Sequence, residues 1–220
     1  MYNGKKLEDC DVVISPWTGK EVDMVKVLKD TELALAFLNG QYPFFGSLLR
    51  RLNLEYSFEV GTGATDGTRL IVNPEYFGKL TIREKVFLIM HEVMHCALSH
   101  IVRAEEAGFE HSRANVAGDY EINGLLVEDG LISEAEIKKW LYSKKYAEGH
   151  WPFEFIYKDN PPGPKDDFQQ QQQSQQQSQS QSQSQSQNGQ GDNDNTPKSA
   201  DFIDGWNKAM DDYKAGKIKL

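Results

Sequence analysis

His91-Glu92-Val93-Met94-His95 places two imidazoles and one carboxylate within five consecutive residues. Each residue of a helix turns by about 100°, so His91 and His95 project within about 40° of each other and can bind one ion. Glu92 then lies on the adjacent side, where its carboxylate can take the proton from a water whose pKa zinc has lowered to about 7. The spacing predicts a zinc site with His91 and His95 as ligands and Glu92 as the catalytic base.

The residues around this pentapeptide predict a long, buried helix. Thr81 and Glu84 have the spacing of a capping box with Thr81 as the N-cap, and the apolar run 86–90 follows at once. We expect the helix to extend from about 82 to 105 and to end before Gly108. The alternative is a pair of ordinary core or surface histidines, but unpaired histidines would be costly in so apolar a helix, and a metal ion removes that cost.

Catalytic zinc usually has three protein ligands and an open fourth position, so one ligand must come from elsewhere in the chain. Asp119 is the best candidate, in a segment from about 115 to 126 that is typical of a second helix. Asp119 and Asn123 interrupt an otherwise apolar face, and buried polar groups need partners. We expect Asp119 to bind the metal and Asn123 to hydrogen-bond a ligating histidine, while Gly118 and Gly124 let a neighbouring helix approach closely.

Two alternatives for the third ligand lie near these helices. His100 is five residues past His95, about 140° round the helix, with no glycine between to turn the backbone. We therefore expect His100 to make a hydrogen bond outside the ligand set or to lie at the surface. Glu121 is the next choice as a ligand, but it points about 200° away from Asp119, so the two would not be chosen together.

Some of the polar residues can also be interpreted without a metal. His111, in an expected loop, and His150 are more typical of surface histidines than of ligands. Asp119 could also face water or pair with Arg103 or Arg113, although the metal-ligand interpretation is favoured.

Several segments together resemble a known family. They are Ala64–Gly67, Val72–Phe77, Leu88–His95 with His100 and Arg103, Ala117–Asp119 and Ile122–Gly124. In this order and spacing they are similar to the metallopeptidase domain that, in bacteria and phages, often precedes a von Willebrand factor A-like domain, and the resemblance covers about residues 31–160. It implies a zincin-like fold, zinc held by His91, His95 and Asp119, and Glu92 as base, with no particular substrate. We expect no second domain of that kind, since a glutamine/serine tract stands about where it would begin.

The expected fold class is α+β, helical with a small antiparallel hairpin beside the metal helix. Residues 54–60 alternate between apolar and polar side chains, residues 68–72 follow as a second strand, and Gly61–Gly67 forms the turn, with Asp66-Gly67 as a turn pair rather than a ligand. An extended peptide could add to the edge of this hairpin as a further strand, although a purely structural hairpin explains the pattern equally well. Apolar segments at 33–37 and 44–52 predict helices behind the sheet.

The chain divides by composition into four parts. Residues 1–30 form an N-terminal segment of unassigned role, and 31–160 form the metallopeptidase domain. Residues 161–198, rich first in proline and then in glutamine and serine, predict a disordered linker. Apolar residues recur at helical spacing within 199–216, which predicts an amphipathic helix that docks back on the domain or binds a protein partner, docking back being the simpler option.

Charge and hydropathy exclude several classes of protein. The net charge of -9 and the absence of a basic stripe disfavour nucleic-acid binding. The sequence has no run of about 18 apolar residues and no signal peptide. We therefore expect a soluble protein in the cytoplasm of a bacterial or phage-infected cell. Cys10 and Cys96 do not make a disulfide framework, and Cys96 is expected to be an inert, buried thiol.

These features predict a zinc metalloendopeptidase with one Zn²⁺ per chain and a peptide or protein as substrate. Two alternatives stay open: a zinc-stabilised module that binds a peptide or protein partner without turnover, and hydrolysis of a non-peptide amide at the same site. A purely structural zinc site has four protein ligands and no need of Glu92, which favours an enzyme. Tyr120 and Arg113 are candidates for stabilising the oxyanion, although each is more often structural.

Overall fold

The computed structural model describes residues 5–159 of the chain and has the predicted mixed α+β fold. Its strands are β1 (Val12–Ile14), β2 (Glu21–Asp23), β3 (Asn53–Tyr56), β4 (Gly63–Thr65) and β5 (Arg69–Val72). Its α-helices are α1 (Met24–Gln41), α2 (Pro43–Leu49), α3 (Pro74–Lys79), α4 (Ile82–Ala97), α5 (His100–Glu106), α6 (His111–Glu128), α7 (Lys144–Glu148) and α8 (Phe153–Asp159), and short 3-10 helices cover Leu7–Asp9 and Ile137–Lys139. The linker and C-terminal helix predicted for residues 161–216 lie outside the described residues.

The three-stranded sheet differs from the predicted hairpin. Its strand order is β3-β5-β4, with β3 parallel to β5 and β4 antiparallel to β5. The antiparallel pairing expected between residues 54–60 and 68–72 is therefore wrong. The reason is that residues 63–65, assigned to a turn, form the strand that precedes β5. The tight connection therefore joins β4 to β5, and β3 pairs in parallel on the other side of β5.

The tight turn between β4 and β5 is the predicted Asp66-Gly67 pair. The Asp66 carboxylate accepts hydrogen bonds from the backbone N–H groups of Thr68 and Arg69 at 2.9 and 2.8 Å. Gly67 has a φ of 88°, a left-handed conformation that glycine adopts without steric cost. These bonds hold the turn that sets the register of β4.

Helix α4 begins as predicted and ends earlier than predicted. The capping box is present, since Thr81 accepts from the Glu84 backbone while the Glu84 side chain accepts from the Thr81 backbone. The single helix expected over 82–105 is wrong, because Ser99 adopts a left-handed conformation with φ 55° and ψ 35° and separates α4 from α5. A non-glycine residue takes this conformation at a cost, so the surrounding contacts must favour the break.

Helix α6 is longer than the predicted segment of 115–126. It begins at His111, which the sequence placed in a loop, because the Glu110 side chain accepts from the backbone N–H groups of Ser112 and Arg113 and caps the first turn. Helices α7 and α8 were not predicted. The segments 33–37 and 44–52 do fall in helices, although α1 begins earlier and α2 ends sooner than expected.

The core consists of two apolar clusters. The larger one includes buried residues of α1, α2, α4 and the sheets, and the smaller one includes buried residues of α6, α7 and α8. Helix α1 packs against α4 rather than only behind the sheet, and α6 contributes to both clusters while contacting α4. The contact between α4 and α6 therefore lies where the two clusters meet.

One helical segment meets a simple criterion for a membrane span, which the sequence prediction did not anticipate. Residues 82–106 contain an 18-residue stretch whose mean hydropathy is 1.2. In the folded protein, however, 72% of that stretch is buried. Such burial is typical of a core helix, whose apolar side chains contact other parts of the protein.

Candidate metal centre

Three donor atoms from α4 and α6 converge on one point. His91 Nε2 and His95 Nε2 are 3.1 Å apart, and Asp119 Oδ1 lies 3.1 Å from His95 Nε2 and 3.3 Å from His91 Nε2. Ligand atoms of a tetrahedral zinc ion, each about 2.0–2.1 Å from the metal, are about 3.3–3.4 Å apart. The donor atoms therefore have close to the separation of one face of such a tetrahedron. Within residues 5–159 they form the one group of three or more His, Cys, Asp or Glu donors that could hold a metal ion.

Gly118 allows α6 to approach the histidines of α4. A Cβ atom added at this position would lie 2.6 Å from His100 Nδ1 and 3.2 Å from His95 Cε1. A side chain at 118 would thus push the imidazoles away from α6. The absence of one lets the neighbouring Asp119 reach the same point as the two donor histidines.

Asn123 orients the ring of His91. Its Nδ2 donates to the carbonyl of Leu141 at 2.7 Å, which turns Oδ1 toward His91 Nδ1 at 2.9 Å. Because this oxygen can only accept, the proton of a neutral His91 resides on Nδ1. The Nε2 lone pair of His91 is then directed at the point shared with His95 and Asp119.

Glu92 is buried on the side of α4 that faces β4. A Cβ atom added at Gly63 would lie 3.1 Å from Glu92 Oε1, so the main chain of β4 passes directly against this carboxylate. One turn further along α4, Cys96 Sγ lies 3.2 Å from Thr65 Oγ1. Strand β4 therefore runs along the Glu92 and Cys96 side of the helix, next to the side that carries the donor histidines.

Burial and charge move the acidic groups of the site in opposite directions. Burial raises the pKa of Glu92, although the charges of His91 and His95 oppose this shift. Burial would also raise the pKa of Asp119, but hydrogen bonds with His91 and His95 and their positive charge hold it well below its ordinary range. Asp119 is therefore ionised, as a metal-ligating carboxylate must be.

The two histidines shift in opposite directions. Burial would lower the pKa of His91, but the hydrogen bond to Asp119 and its charge raise it to about 9. Burial lowers the pKa of His95, and the neighbouring His91 charge adds to this effect against the hydrogen bond to Asp119. One proton thus resides near Asp119 when only protein groups share the site.

Cys96 is not a donor in this site. The thiol is buried and hydrogen-bonded with Thr65, and burial raises its pKa to about 11. A metal ligand or a nucleophile requires the thiolate, so a thiol with this pKa is inert at neutral pH.

His100 lies against His95, although a continuous helix would have placed it about 140° away. The two Nδ1 atoms are 3.2 Å apart, and His100 Nε2 lies 2.8 Å from Glu121 Oε2. The left-handed conformation of Ser99 redirects the chain and produces this contact without a glycine. His100 thus contacts the outer side of the His95 ring, and Glu121 contacts the far side of His100.

The other candidates for the third ligand lie elsewhere. His111 is exposed at the start of α6, and the His150 side chain is 67% exposed. Arg103, one alternative partner for Asp119, forms a two-bond ion pair with Glu154 at 2.7 Å. The alternative pairing predicted for Asp119 is therefore wrong for Arg103.

The two oxyanion candidates make contacts with α7 and α8. Arg113, which was also an alternative partner for Asp119, lies over the ring of Tyr157 and donates to the Tyr157 carbonyl at 3.1 Å. Tyr120 is buried and packs edge-on against Tyr146, with ring centroids 5.4 Å apart. Both residues contribute to the packing of α6 with α7 and α8.

Sequence reasoning missed three contributions to the site. Gly63 was assigned to a turn, although a glycine beside a strand signal can indicate close approach of another element. The Leu141 carbonyl has no sequence signal, because every residue carries one. Glu121 was considered only as a ligand, and its contact with His100 depends on the break at Ser99.

The chain was compared with curated proteins, solved structures and protein families. No curated protein and no solved structure matches the chain. A family model described as "Putative metallopeptidase domain" matches residues 27–218, which include the donor residues and extend beyond the motifs at 64–124. With its matched length and its convergent histidine and carboxylate donors, the chain belongs to this metallopeptidase domain family.

Proposed function

We propose that the chain is a zinc-dependent peptidase in which His91, His95 and Asp119 bind the metal. The observation that carries the proposal is the triangle of donor atoms with sides of 3.1, 3.1 and 3.3 Å. Two imidazole nitrogens and one carboxylate oxygen are a donor set that suits zinc, and three protein ligands are the usual number at a catalytic zinc ion.

Glu92 is the proposed general base and, later in the reaction, the general acid. Zinc in such a site supplies Lewis acidity, which polarises a carbonyl and makes a water molecule acidic enough to lose its proton near neutral pH. The carboxylate of Glu92 accepts that proton and then donates it to the leaving amine. Burial raises the pKa of Glu92, which brings it nearer to the working pH and suits both steps.

A peptide substrate would bind along β4. This strand is an edge of the three-stranded sheet, and the Thr62 carbonyl accepts from the Asn73 N–H at 2.8 Å on the β5 side. Main-chain groups alternate in an antiparallel pair, so those of Gly63 and Thr65 face the opposite side. An extended peptide pairing there would lie next to Glu92, with its main chain held by hydrogen bonds and its sequence only weakly restricted.

The alternative is a zinc-stabilised module that binds peptides without turnover. A structural zinc site has four protein ligands, whereas the donor group within the described residues has three. A buried carboxylate next to that group, with a raised pKa, has no use in a purely structural site. These features favour the enzyme.

Replacement of the base tests the proposal. We expect wild-type protein loaded with zinc to cleave members of a peptide library, and Glu92→Gln to lower kcat by about 10²–10⁴-fold, the usual contribution of a general base. Elemental analysis should find one zinc per chain in both proteins, because Glu92 is not a ligand. Asp119→Ala should lose zinc as well as activity.

Glu106→Gln is the matched control, because it makes the same chemical change at an exposed position of α5. It should cleave like the wild type. Equal cleavage by wild type and Glu92→Gln, or no cleavage by either with zinc bound, would defeat the enzyme proposal. Retention of one zinc per chain by Asp119→Ala would move the third ligand elsewhere.

A further inference from the structure

Behind His95 lies a buried chain of hydrogen bonds that the peptidase proposal does not use. Glu121 Oε2 lies 2.8 Å from His100 Nε2, and His100 Nδ1 lies 3.2 Å from His95 Nδ1. His95 Nε2, at the other end of its ring, is the atom that points to Asp119. A carboxylate, an imidazole and a second imidazole therefore form a continuous line that ends at the candidate metal centre.

The order of donors along this line follows from its outer end. An ionised carboxylate can only accept, so His100 donates its Nε2–H to Glu121. A neutral His100 then has a lone pair on Nδ1, which accepts the Nδ1–H of His95. The proton of His95 is thereby kept on Nδ1, and its Nε2 lone pair is free to bind a metal.

Several independent contacts hold His100 in this position. His100 is 4% exposed, and its ring stacks on Phe153 of α8, with centroids 4.8 Å apart and an interplanar angle of 25°. Gly118 provides the space on α6, since a Cβ atom there would lie 2.6 Å from His100 Nδ1. The left-handed Ser99 turns the chain so that the ring faces His95. The left-handed Ser99 and the small Gly118 thus both allow the contact between the His95 and His100 imidazoles.

Glu121 is held in place as well. Its carboxylate lies 3.9 Å from Arg103, whose guanidinium forms the two-bond ion pair with Glu154 and lies over the Phe153 ring at 5.1 Å. The Arg103 guanidinium thus keeps a positive charge beside the Glu121 carboxylate.

We propose that Glu121 and His100 are positioning residues that set the tautomer and orientation of His95 so that its Nε2 faces the metal. The inference rests on the metal site of the proposed function. The two metal-binding histidines would be oriented by different partners. The neutral amide of Asn123 orients His91, whereas His100 orients His95. The negative charge of Glu121 acts through His100 and makes the His95 imidazole a stronger ligand for the metal. His95 is therefore the ligand whose strength this chain of bonds adjusts.

Variants of the two positioning residues test the inference through metal binding, without reference to cleavage. His100→Phe keeps a ring that can stack on Phe153 but removes the acceptor for His95, and Glu121→Gln removes the charge. We expect each to weaken zinc binding by about 10–100-fold in a chelator competition, the usual effect of losing a partner of a ligating histidine. The visible absorption spectrum of the Co²⁺-loaded protein should also shift, because the field of the His95 ligand changes.

Two further variants separate positioning from packing. His100→Asn places an amide oxygen near the former Nδ1 position, so it can still accept from His95 and should recover part of the affinity and of the cobalt spectrum. Glu154→Gln breaks the ion pair with Arg103 in the same cluster without touching the line to His95. We expect Glu154→Gln to lower thermal stability slightly and to leave zinc affinity within about twofold of wild type.

The possible results lead to different conclusions. Wild-type affinity and spectrum in both His100→Phe and Glu121→Gln would refute the inference and leave the peptidase proposal intact. A parallel loss of affinity in Glu154→Gln, matching its loss of stability, would assign the cluster a merely structural role and refute the inference as well. Failure of the wild-type protein to bind zinc would refute both the inference and the proposed function.

Discussion

The lack of a side chain at Gly63 helps to set the position of the Glu92 carboxylate. The main chain of β4 approaches this carboxylate so closely that an added Cβ atom would lie 3.1 Å from Oε1 and 3.3 Å from Cγ. Such contacts are tighter than ordinary van der Waals packing, so a side chain at 63 would displace Glu92 by a few tenths of an ångström. The Glu92 position thus depends on the lack of a side chain on a strand 29 residues away in sequence.

Gly63→Ala should therefore impair the reaction without affecting the metal. We expect kcat to fall by about tenfold, because misplacement of a catalytic group by as much as 1 Å can cost about 100-fold. The zinc affinity should remain that of the wild type, since the ligands do not contact residue 63. Steady-state kinetics together with a chelator competition measure the two quantities separately.

Gly78→Ala is a suitable comparison for Gly63→Ala. At Gly78, on α3, the added Cβ atom would lie 3.6 Å from Val27, which is an ordinary van der Waals contact. It should leave both kcat and zinc affinity unchanged. Unchanged kcat in Gly63→Ala would mean that Glu92 does not need its present position.

The break between helices α4 and α5 places His100 against His95. Ser99 N–H bonds to the Cys96 carbonyl at 3.0 Å, and the Ser99 carbonyl accepts from Arg103 at 2.9 Å, so the same residue ends one helix and begins the next. A continuous helix would carry His100 away from His95. The left-handed conformation costs about 1–2 kcal/mol for a residue with a Cβ atom, and packing of His100 compensates for that strain.

Glycine at this break should be tolerated, unlike glycine within a helix. We expect Ser99→Gly to leave the free energy of unfolding within about 0.5 kcal/mol of wild type or to increase it, because relief of strain offsets the greater entropy of the unfolded chain. Ala36→Gly, at an exposed interior position of α1, should lower it by about 1 kcal/mol. Urea unfolding measures both values. A loss in Ser99→Gly equal to that in Ala36→Gly would show that residue 99 is not strained.

For the whole molecule, the candidate metal centre joins two helices at the meeting point of two apolar clusters. Helix α4 belongs to the larger cluster, and α6 contributes buried residues to both. A metal bound between them adds its binding free energy to the stability of the fold, because the unfolded chain does not present the donors together. The free energy of unfolding should therefore increase with zinc concentration, and the size of this increase should depend on pH.

The dependence of stability on pH between 6.5 and 9 should disappear when zinc is added. The folded pKa of His91 is raised from 6.5 to about 9. Its contribution is therefore fully present below pH 6.5 and is lost as pH rises toward 9. In the presence of a chelator, unfolding by urea should show this decrease. With excess zinc the stability should be nearly independent of pH over this range, because the ion replaces that proton on His91. The zinc dissociation constant should fall by about tenfold per pH unit, and this gain offsets the loss seen without zinc.

Asp119→Asn tests the origin of this effect. It removes the charge that raises the pKa of His91, so in the presence of chelator the stability should change little between pH 6.5 and 9. A wild-type protein whose stability with chelator is flat over this range would contradict the assignment of a raised pKa to His91. A zinc affinity that does not increase with pH would argue against ligation by this histidine.

The sequence alone determined the features that arise from local periodicity and capping. The spacing of His91 and His95 placed both imidazoles on one side of a helix, and the capping box marked where that helix begins. The interrupted apolar face at Asp119 and Asn123 indicated polar groups that needed buried partners. Each of these depends on interactions within about one or two helical turns, which a short stretch of sequence contains.

The sheet pairing and the surroundings of His95 and Glu92 arise from packing between distant parts of the chain. The parallel pairing of β3 with β5, the left-handed Ser99 and the approach of Gly63 to Glu92 all depend on contacts between residues far apart in the chain. Such contacts can stabilise a backbone conformation that is locally unfavourable, as at Ser99. Local preferences at those positions favour a turn or a continuous helix, and the free energy of packing many groups together overrides them.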